Sequence, residues 1–210
     1  MAKRKSRSQY HHGDLRTALM EAAVELAARE GVDAVLLSTL ARKTGVSGTA
    51  PFRHFPSRQA LLVAVAEEGA RRLIARMQAA TAGETDPGEA QRRGAMAYVR
   101  FAVEEPGYFR ILTRAETLQE SELVASLNTG ARKAMEAAFG GSAASVSAEV
   151  TARSAAHLAA QALVFGLARM LVDGLLGEVD GATAERLAFE VTGVLGQGLE
   201  ATLAPGPRRP

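Results

Sequence analysis

The stretch from Ser38 to Leu62 constrains the fold more than any other part of the chain. It reads STLARKTGVSGTAPFRHFPSRQALL. Leu40 and Ala41 can face a core from a short helix, and Gly45 can take the positive φ that ends it. Val46 then turns the chain inward, and Ser47 is a good N-cap for a second short helix. The spacing predicts short helices over 38–44 and 47–55. This is the layout of a helix-turn-helix, in which the second helix enters a DNA major groove. Phe55-Pro56-Ser57 closes the unit: Phe55 packs, Pro56 stops the helix and Ser57 caps the next one.

Charge is distributed to match. The net charge is only +2, yet residues 1–60 hold ten Lys or Arg against five acids. A basic end on a mildly acidic body suggests a polyanion partner for that end alone. With no Cys, disulfides, thiol catalysis and zinc–thiolate sites are excluded. His11 and His12 have no third ligand nearby, so no metal and no cofactor is expected. No signal peptide or membrane span is legible, which predicts a cytoplasmic protein without membrane contact.

The rest of the chain predicts helices throughout. Residues 1–9 lack an apolar anchor and read as a disordered basic arm. Asp14 is placed to cap helix 1, with Leu15, Leu19, Ala22 and Leu26 at helical spacing until Gly31. A long helix follows Ser57 to about Ala80. Asp86-Pro87-Gly88-Glu89 reads as the next helix start, and Pro106 ends that helix. Pro106 to Leu112 is a short helix with an aromatic pair expected in the core, and a further helix runs from about Glu120 to Phe139. Residues 148–176 are apolar around the whole circumference, and residues 183–203 carry Gly193, Gly196 and Gly198 inside a helix. Interior glycines cost about 1 kcal/mol each, so close approach of another helix is expected. Two subunits packing these last helices into a four-helix interface would supply it, whereas one large intramolecular core is the alternative.

These residues also resemble a known family. Ala41 to Ser47, Phe52 to Arg58 and Leu61-Leu62 look like the DNA-binding domain of TetR-family repressors, and Tyr10 to Arg16 resembles the entry to its helix 1. Leu163 to Leu167 is similar to a Trp–His–Gly signature of one branch, with Gly166 kept but Gln161 and Phe165 in place of the Trp and His. The resemblance implies an all-α protein: a helix-turn-helix domain over 10–56, a helical effector-binding and dimerisation domain over 57–205, and a flexible tail at 206–210. It implies a homodimer through the last two long helices, and a repressor released from a palindromic double-stranded operator by a small molecule.

Candidate DNA-binding residues are Ser38, Thr39, Ser47, Gly48, Thr49, Ala50, Phe52, Arg53, His54 and Arg58. Arg53 can grip guanine in bidentate fashion or hold phosphate; His54 and Arg58 match family positions on backbone phosphates. Phe52 stands where the family has Tyr, Leu36 and Leu37 where it often has capping hydroxyls, and Ser38 where Arg is frequent. Pro51 within the second helix removes one backbone donor. Candidate effector-binding residues are Tyr98, Phe101, Phe109, His157, Gln161 and Arg169, for an apolar or amphipathic ligand of unknown identity. Arg169 and Asp173 are also spaced to pair with each other. A constitutive DNA-binding protein without effector is the alternative. A helical enzyme is disfavoured, since no phosphate loop, metal cluster or triad motif is present.

Overall fold

The computed structural model describes residues 12–114, 117, 120–139 and 152–203. Among them are eight α-helices and no strand: α1 His12–Glu30, α2 Leu37–Lys43, α3 Arg58–Thr81, α4 Pro87–Glu104, α5 Pro106–Leu112, α6 Glu122–Phe139, α7 Ala152–Val172 and α8 Gly181–Leu203. No helix among the described residues is long and apolar enough to cross a membrane. The basic arm, the tail after 205 and the Gly140-Gly141-Ser142 stop lie outside the described residues.

Local chemistry explains most boundaries. Ser57 Oγ accepts from Ala60 N–H at 3.0 Å, and Asp86 Oδ1 accepts from Glu89 N–H at 2.7 Å, so α3 and α4 begin where side chains satisfy free N–H groups. Asp180 Oδ1 does the same for α8 through Thr183 N–H at 2.7 Å. Helix α1 departs from expectation, because it already includes His12 and so places Asp14 inside its first turn.

The interior is one continuous apolar cluster. It runs from Leu19, Leu26 and Leu40 through Leu62, Val65 and Leu73 to Phe101, Phe109, Ala184 and Ala188. The aromatic pair on α5 lies within it, with Phe109 fully buried. Arginines 72 and 76 of α3 hold the end of α4: Arg72 Nη1 lies 3.2 Å from Glu105 and Arg76 Nη1 lies 2.6 Å from Glu104. Arg100 carries the network to α8 through Glu185 at 3.0 Å.

Short α5 is the junction between the N-terminal helices and the rest. Its Gly107 lies against the α1 backbone so closely that an added Cβ would stand 2.1 Å from the Val24 carbonyl oxygen. Arg110 on the same helix donates to Ala27 and Ala28 carbonyls of α1, at 3.2 and 3.0 Å, and to the Val172 carbonyl of α7 at 2.8 Å.

The Gly107 contact is backbone against backbone and has no flexible atom to yield. Gly107→Ala should therefore lower stability by about 3 kcal/mol, the upper end of overpacking effects. Urea titration followed by circular dichroism checks this. A midpoint within error of the parent protein would show that α5 can slide off α1 without cost.

Candidate nucleic-acid interface and ligand cavity

Helix α2 is held from inside. Leu37, Leu40 and Ala41 are buried. Thr44 Oγ1 donates to the Leu40 carbonyl at 2.8 Å, and Val46 N–H reaches the Ala41 carbonyl at 3.0 Å. Between them Gly45 takes φ 72°, the left-handed conformation that lets the chain reverse. At the other end, Leu36 occupies the N-cap position in extended conformation and supplies no side-chain hydrogen bond. The first turn of α2 is therefore uncapped by any side chain, as expected from a Leu where a hydroxyl would serve.

The second helix is a correction. The expected helix over 47–55 is a turn at 48–49 followed by a 3₁₀ segment, Pro51–Arg53. Ala50 N–H bonds to the Ser47 carbonyl at 3.0 Å, Arg53 N–H to Ala50 at 3.2 Å and His54 N–H to Pro51 at 3.0 Å, all three residues back. Pro51 has no N–H to offer the Ser47 carbonyl, and its ring crowds that carbonyl, so three-residue bonds prevail until Phe55 N–H reaches the Pro51 carbonyl, four residues back, at 2.9 Å. Buried Pro51 and Phe55 anchor the segment, and the Arg16 guanidinium stacks over the Phe55 ring at 5.1 Å.

Most of the expected reading residues share the outer face of this unit. Ser38, Ser47, Gly48, Thr49, Phe52 and Arg53 are exposed, while Thr39, Ala50 and His54 are half-buried. Ser47 Oγ and Thr49 Oγ1 lie 3.4 Å apart. Phe52 is 55% exposed, an apolar ring displayed to the outside where a thymine methyl or a sugar could meet it. Arg53 has no polar partner among the described residues. Neither has exposed Arg42 at the end of α2, which sequence reasoning counted only as charge; its neighbour Lys43 is engaged by Glu25 at 2.9 Å.

Arg58 is placed differently from expectation. Its Nε donates to the Val35 carbonyl at 2.7 Å and its Nη2 to the Val32 carbonyl at 2.8 Å, with Asp33 at 3.8 Å. The guanidinium thus ties the α1–α2 connection to the start of α3 instead of pointing outward to a phosphate. The Val32 carbonyl already accepts from Val35 N–H at 3.1 Å, so Arg58 adds a second donor there and supplies one to the Val35 carbonyl. Asp33 is shared with Arg114 at 2.7 Å, and the hydrogen bond from Arg114 holds its carboxyl below the usual range, with Arg58 adding to the effect.

A second feature lies in the larger helical part. A cavity of about 400 Å³, open on the side of exposed Leu158 and Gln161, is bordered by α3, α4, α6 and α7 and the end of α5. Tyr98 and Gln161 line it, together with Gln91, Thr113, Leu158 and Phe165. Of the other expected effector residues, Phe101 is fully buried beneath the Arg76 guanidinium, outside this lining. Phe109 stands behind the wall, its ring edge-on to Tyr98 at 5.8 Å and tilted on Phe165 at 6.4 Å. Arg169 is turned away and pairs with Asp173 at 2.7 Å. The His157 side chain lies outside the described residues. Gln91 was missed by the sequence reading, although it lies seven residues before Tyr98 and hence on the same face of α4.

Comparison with known proteins agrees with this geometry. Residues 19–65 match the family profile described as bacterial regulatory proteins, tetR family. A curated relative, the uncharacterized HTH-type transcriptional regulator YobS of Bacillus subtilis (strain 168), is 35% identical over 91 residues, 43% of this chain and 47% of that protein. The match thus spans about half the length of that relative. Over the whole fold, the TetR family transcriptional regulator PfmR from Thermus thermophilus superposes with a TM-score of 0.62 at 23% identity, covering 87% of this chain and 98% of that one. Residues 19–65 are thus similar to the tetR family of bacterial regulatory proteins, and the chain shares its fold with PfmR. AibR, solved in complex with isovaleryl coenzyme A and operator DNA, shares the fold with a TM-score of 0.62 at 14% identity, covering 87% and 97% of the two chains.

Two substitutions separate the scaffold of this helix-turn-helix head from its reading surface. Leu36→Ser adds a cap where none exists and should raise the urea midpoint by the equivalent of about 1 kcal/mol at unchanged m-value. Arg58→Ala should lower the midpoint in the absence of DNA, because the Val35 carbonyl loses its donor and the Val32 carbonyl one of two. An unaltered midpoint for Arg58→Ala would return this residue to the phosphate-binding set.

Proposed function

We propose that this chain is a cytoplasmic transcriptional regulator of the TetR family. On this reading it binds an inverted-repeat operator as a homodimer, acts as a repressor and is released by a small molecule in the α3–α7 cavity. The observation that carries the reading is the outward face of the α2 unit: Ser38, Ser47, Thr49, Phe52 and Arg53 stand exposed on a head whose inner face is fully packed. Exposed short hydroxyls and a backbone without side chain at Gly48 permit close approach to base edges, and Arg53 and Arg42 add unpaired positive charge. Phosphate contacts then fall to Arg42, Arg53 and His54, since Arg58 is spent on the scaffold.

The dimer rests on a separate observation. Leu158, Phe165, Met170, Leu175, Leu176, Phe189 and Val194 are exposed, and all lie on α7, α8 or the turn joining them. Among the described residues, nothing approaches within 4 Å of the position a Cβ would take at Gly193 or Gly196. The described residues of one subunit therefore give these two glycines no packing reason. A second copy crossing α8 closely supplies one, and it would cover the apolar surface as well. The same fold in AibR accommodates both a ligand and operator DNA, which supports one chain of this architecture carrying both functions.

Selection of bound duplexes from a random pool should return two inverted half-sites whose centres lie about 34–36 Å apart or a multiple of it. Arg53→Ala should broaden the selected sequences. No enrichment over random duplex at physiological salt would sink the proposal. In sedimentation at micromolar concentration the parent chain should run as a dimer, and Gly196→Leu should yield monomer or aggregate. A stable parent monomer would remove the α7–α8 interface.

A further inference from the structure

We infer that the α3–α7 cavity selects an uncharged, largely aliphatic ligand that presents a hydrogen-bond acceptor, such as a carbonyl, to the Tyr98 hydroxyl. This deepens the reading of the cavity as the effector site and rests on it. The described lining is dominated by Leu73, Met77, Leu112, Val124, Leu127 and Phe165, and among the described lining residues none carries a charge. Four lining side chains are polar: Gln91, Tyr98, Thr113 and Gln161. Thr113 is already spent, since its Oγ1 donates to the Phe109 carbonyl at 2.8 Å.

Tyr98 is the polar group held in place. Its ring is fixed edge-on by Phe109, which is itself fully buried. Its hydroxyl has no hydrogen-bond partner among the described residues, so it reaches the cavity with its donor unspent. Burial drives the phenol well above its ordinary pKa, so it stays protonated at any physiological pH. Gln91 lies two helical turns away on α4, roughly 10 Å at 1.5 Å per residue. Gln161 stands on α7 and is exposed. These neutral amides can serve a second polar group but cannot neutralise a carboxylate, an ammonium or a phosphate.

Discrimination should therefore follow charge. An anion or cation seated fully within this lining loses its hydration, and the described lining offers it no counter-ion, a penalty far larger than one neutral hydrogen bond. A methionine-containing wall at Met77 can adapt to chains of somewhat different shape, so length should matter less than charge.

The test is equilibrium binding to the full chain without DNA, using three probes of equal length: dodecan-2-one, laurate and dodecylammonium. The ketone is expected to bind at least about 100-fold more tightly than either ion, the scale set by burying an unpaired charge. Tyr98→Phe is expected to weaken the ketone about fivefold, the worth of one neutral hydrogen bond, while leaving thermal stability unchanged. Since the hydroxyl has no partner among the described residues, this variant should be as well folded as the parent chain. Laurate or dodecylammonium binding as tightly as the ketone overturns the inference, as does a Tyr98→Phe variant that binds the ketone undiminished. Failure of all three probes to bind at millimolar concentration overturns it too. Because no DNA is present, these outcomes are independent of whether the helix-turn-helix unit recognises an operator.

Discussion

The Arg110 guanidinium is the contact on which the arrangement of the two halves depends. It lies between the last turn of α1 and the last residue of α7, donating to Ala27, Ala28 and Val172 carbonyls with Asp173 at 3.8 Å. Helix C-termini present carbonyls that the helix itself leaves unpaired, and their partial negative charge favours a cation. One side chain thus serves two helix ends at once. Its Nε is buried without a partner, so the geometry favours the terminal nitrogens at some cost. Removing the guanidinium would take a donor from the Ala28 and Val172 carbonyls, while the Ala27 carbonyl would keep Gly31 N–H at 3.2 Å.

This junction sits directly beside the cavity wall. Phe109, the residue before Arg110, touches Tyr98 and Phe165, and both of those line the cavity. A displacement of α7 relative to α4 therefore meets Phe109 first. It must then either carry α1 along through Arg110 or break the bonds to it. Well-packed interiors respond to such displacement by moving as bodies, not by local compression. Gly107 against the Val24 carbonyl reinforces this, since α5 has no slack over α1. The connection between the reading head and the cavity is thus short and built from rigid parts.

The reading head departs from regular helix geometry for a local reason. Pro51 removes a donor and leaves 3₁₀ bonds, while Pro51 and Phe55 keep the segment pinned to the core. Shorter spacing along this segment brings Ala50 and Arg53 to the same edge, since residues three apart eclipse in a 3₁₀ turn. The effect of Pro51 was visible in the chain as an interruption, but not its extent. Periodicity shows which residues face inward; it does not show that the missing N–H shifts the bonds to three-residue spacing until Phe55 N–H returns to the Pro51 carbonyl at 2.9 Å.

Helix content and most helix starts were legible from the amino-acid order. They depend on local terms: apolar spacing, Ser, Asp and Pro at helix starts, and the positive φ that Gly45 accepts. The Arg169–Asp173 pair was legible too, from its i,i+4 spacing. Arg58, Phe101 and Gln91 were not, for one shared reason. Each role depends on what stands opposite the side chain, which no local term specifies. Arg58 turns to the Val32 and Val35 carbonyls because the fold sets the α1–α2 connection against the start of α3. Phe101 and Phe109 are equally aromatic in sequence, yet Phe101 lies beneath Arg76 and Phe109 backs the cavity wall because α4 and α5 meet at Pro106. The sequence by itself determined an all-helical chain with a helix-turn-helix head. Only the tertiary structure decided which polar groups were consumed in holding it together and which, like the Tyr98 hydroxyl and Arg53, were left to meet something else.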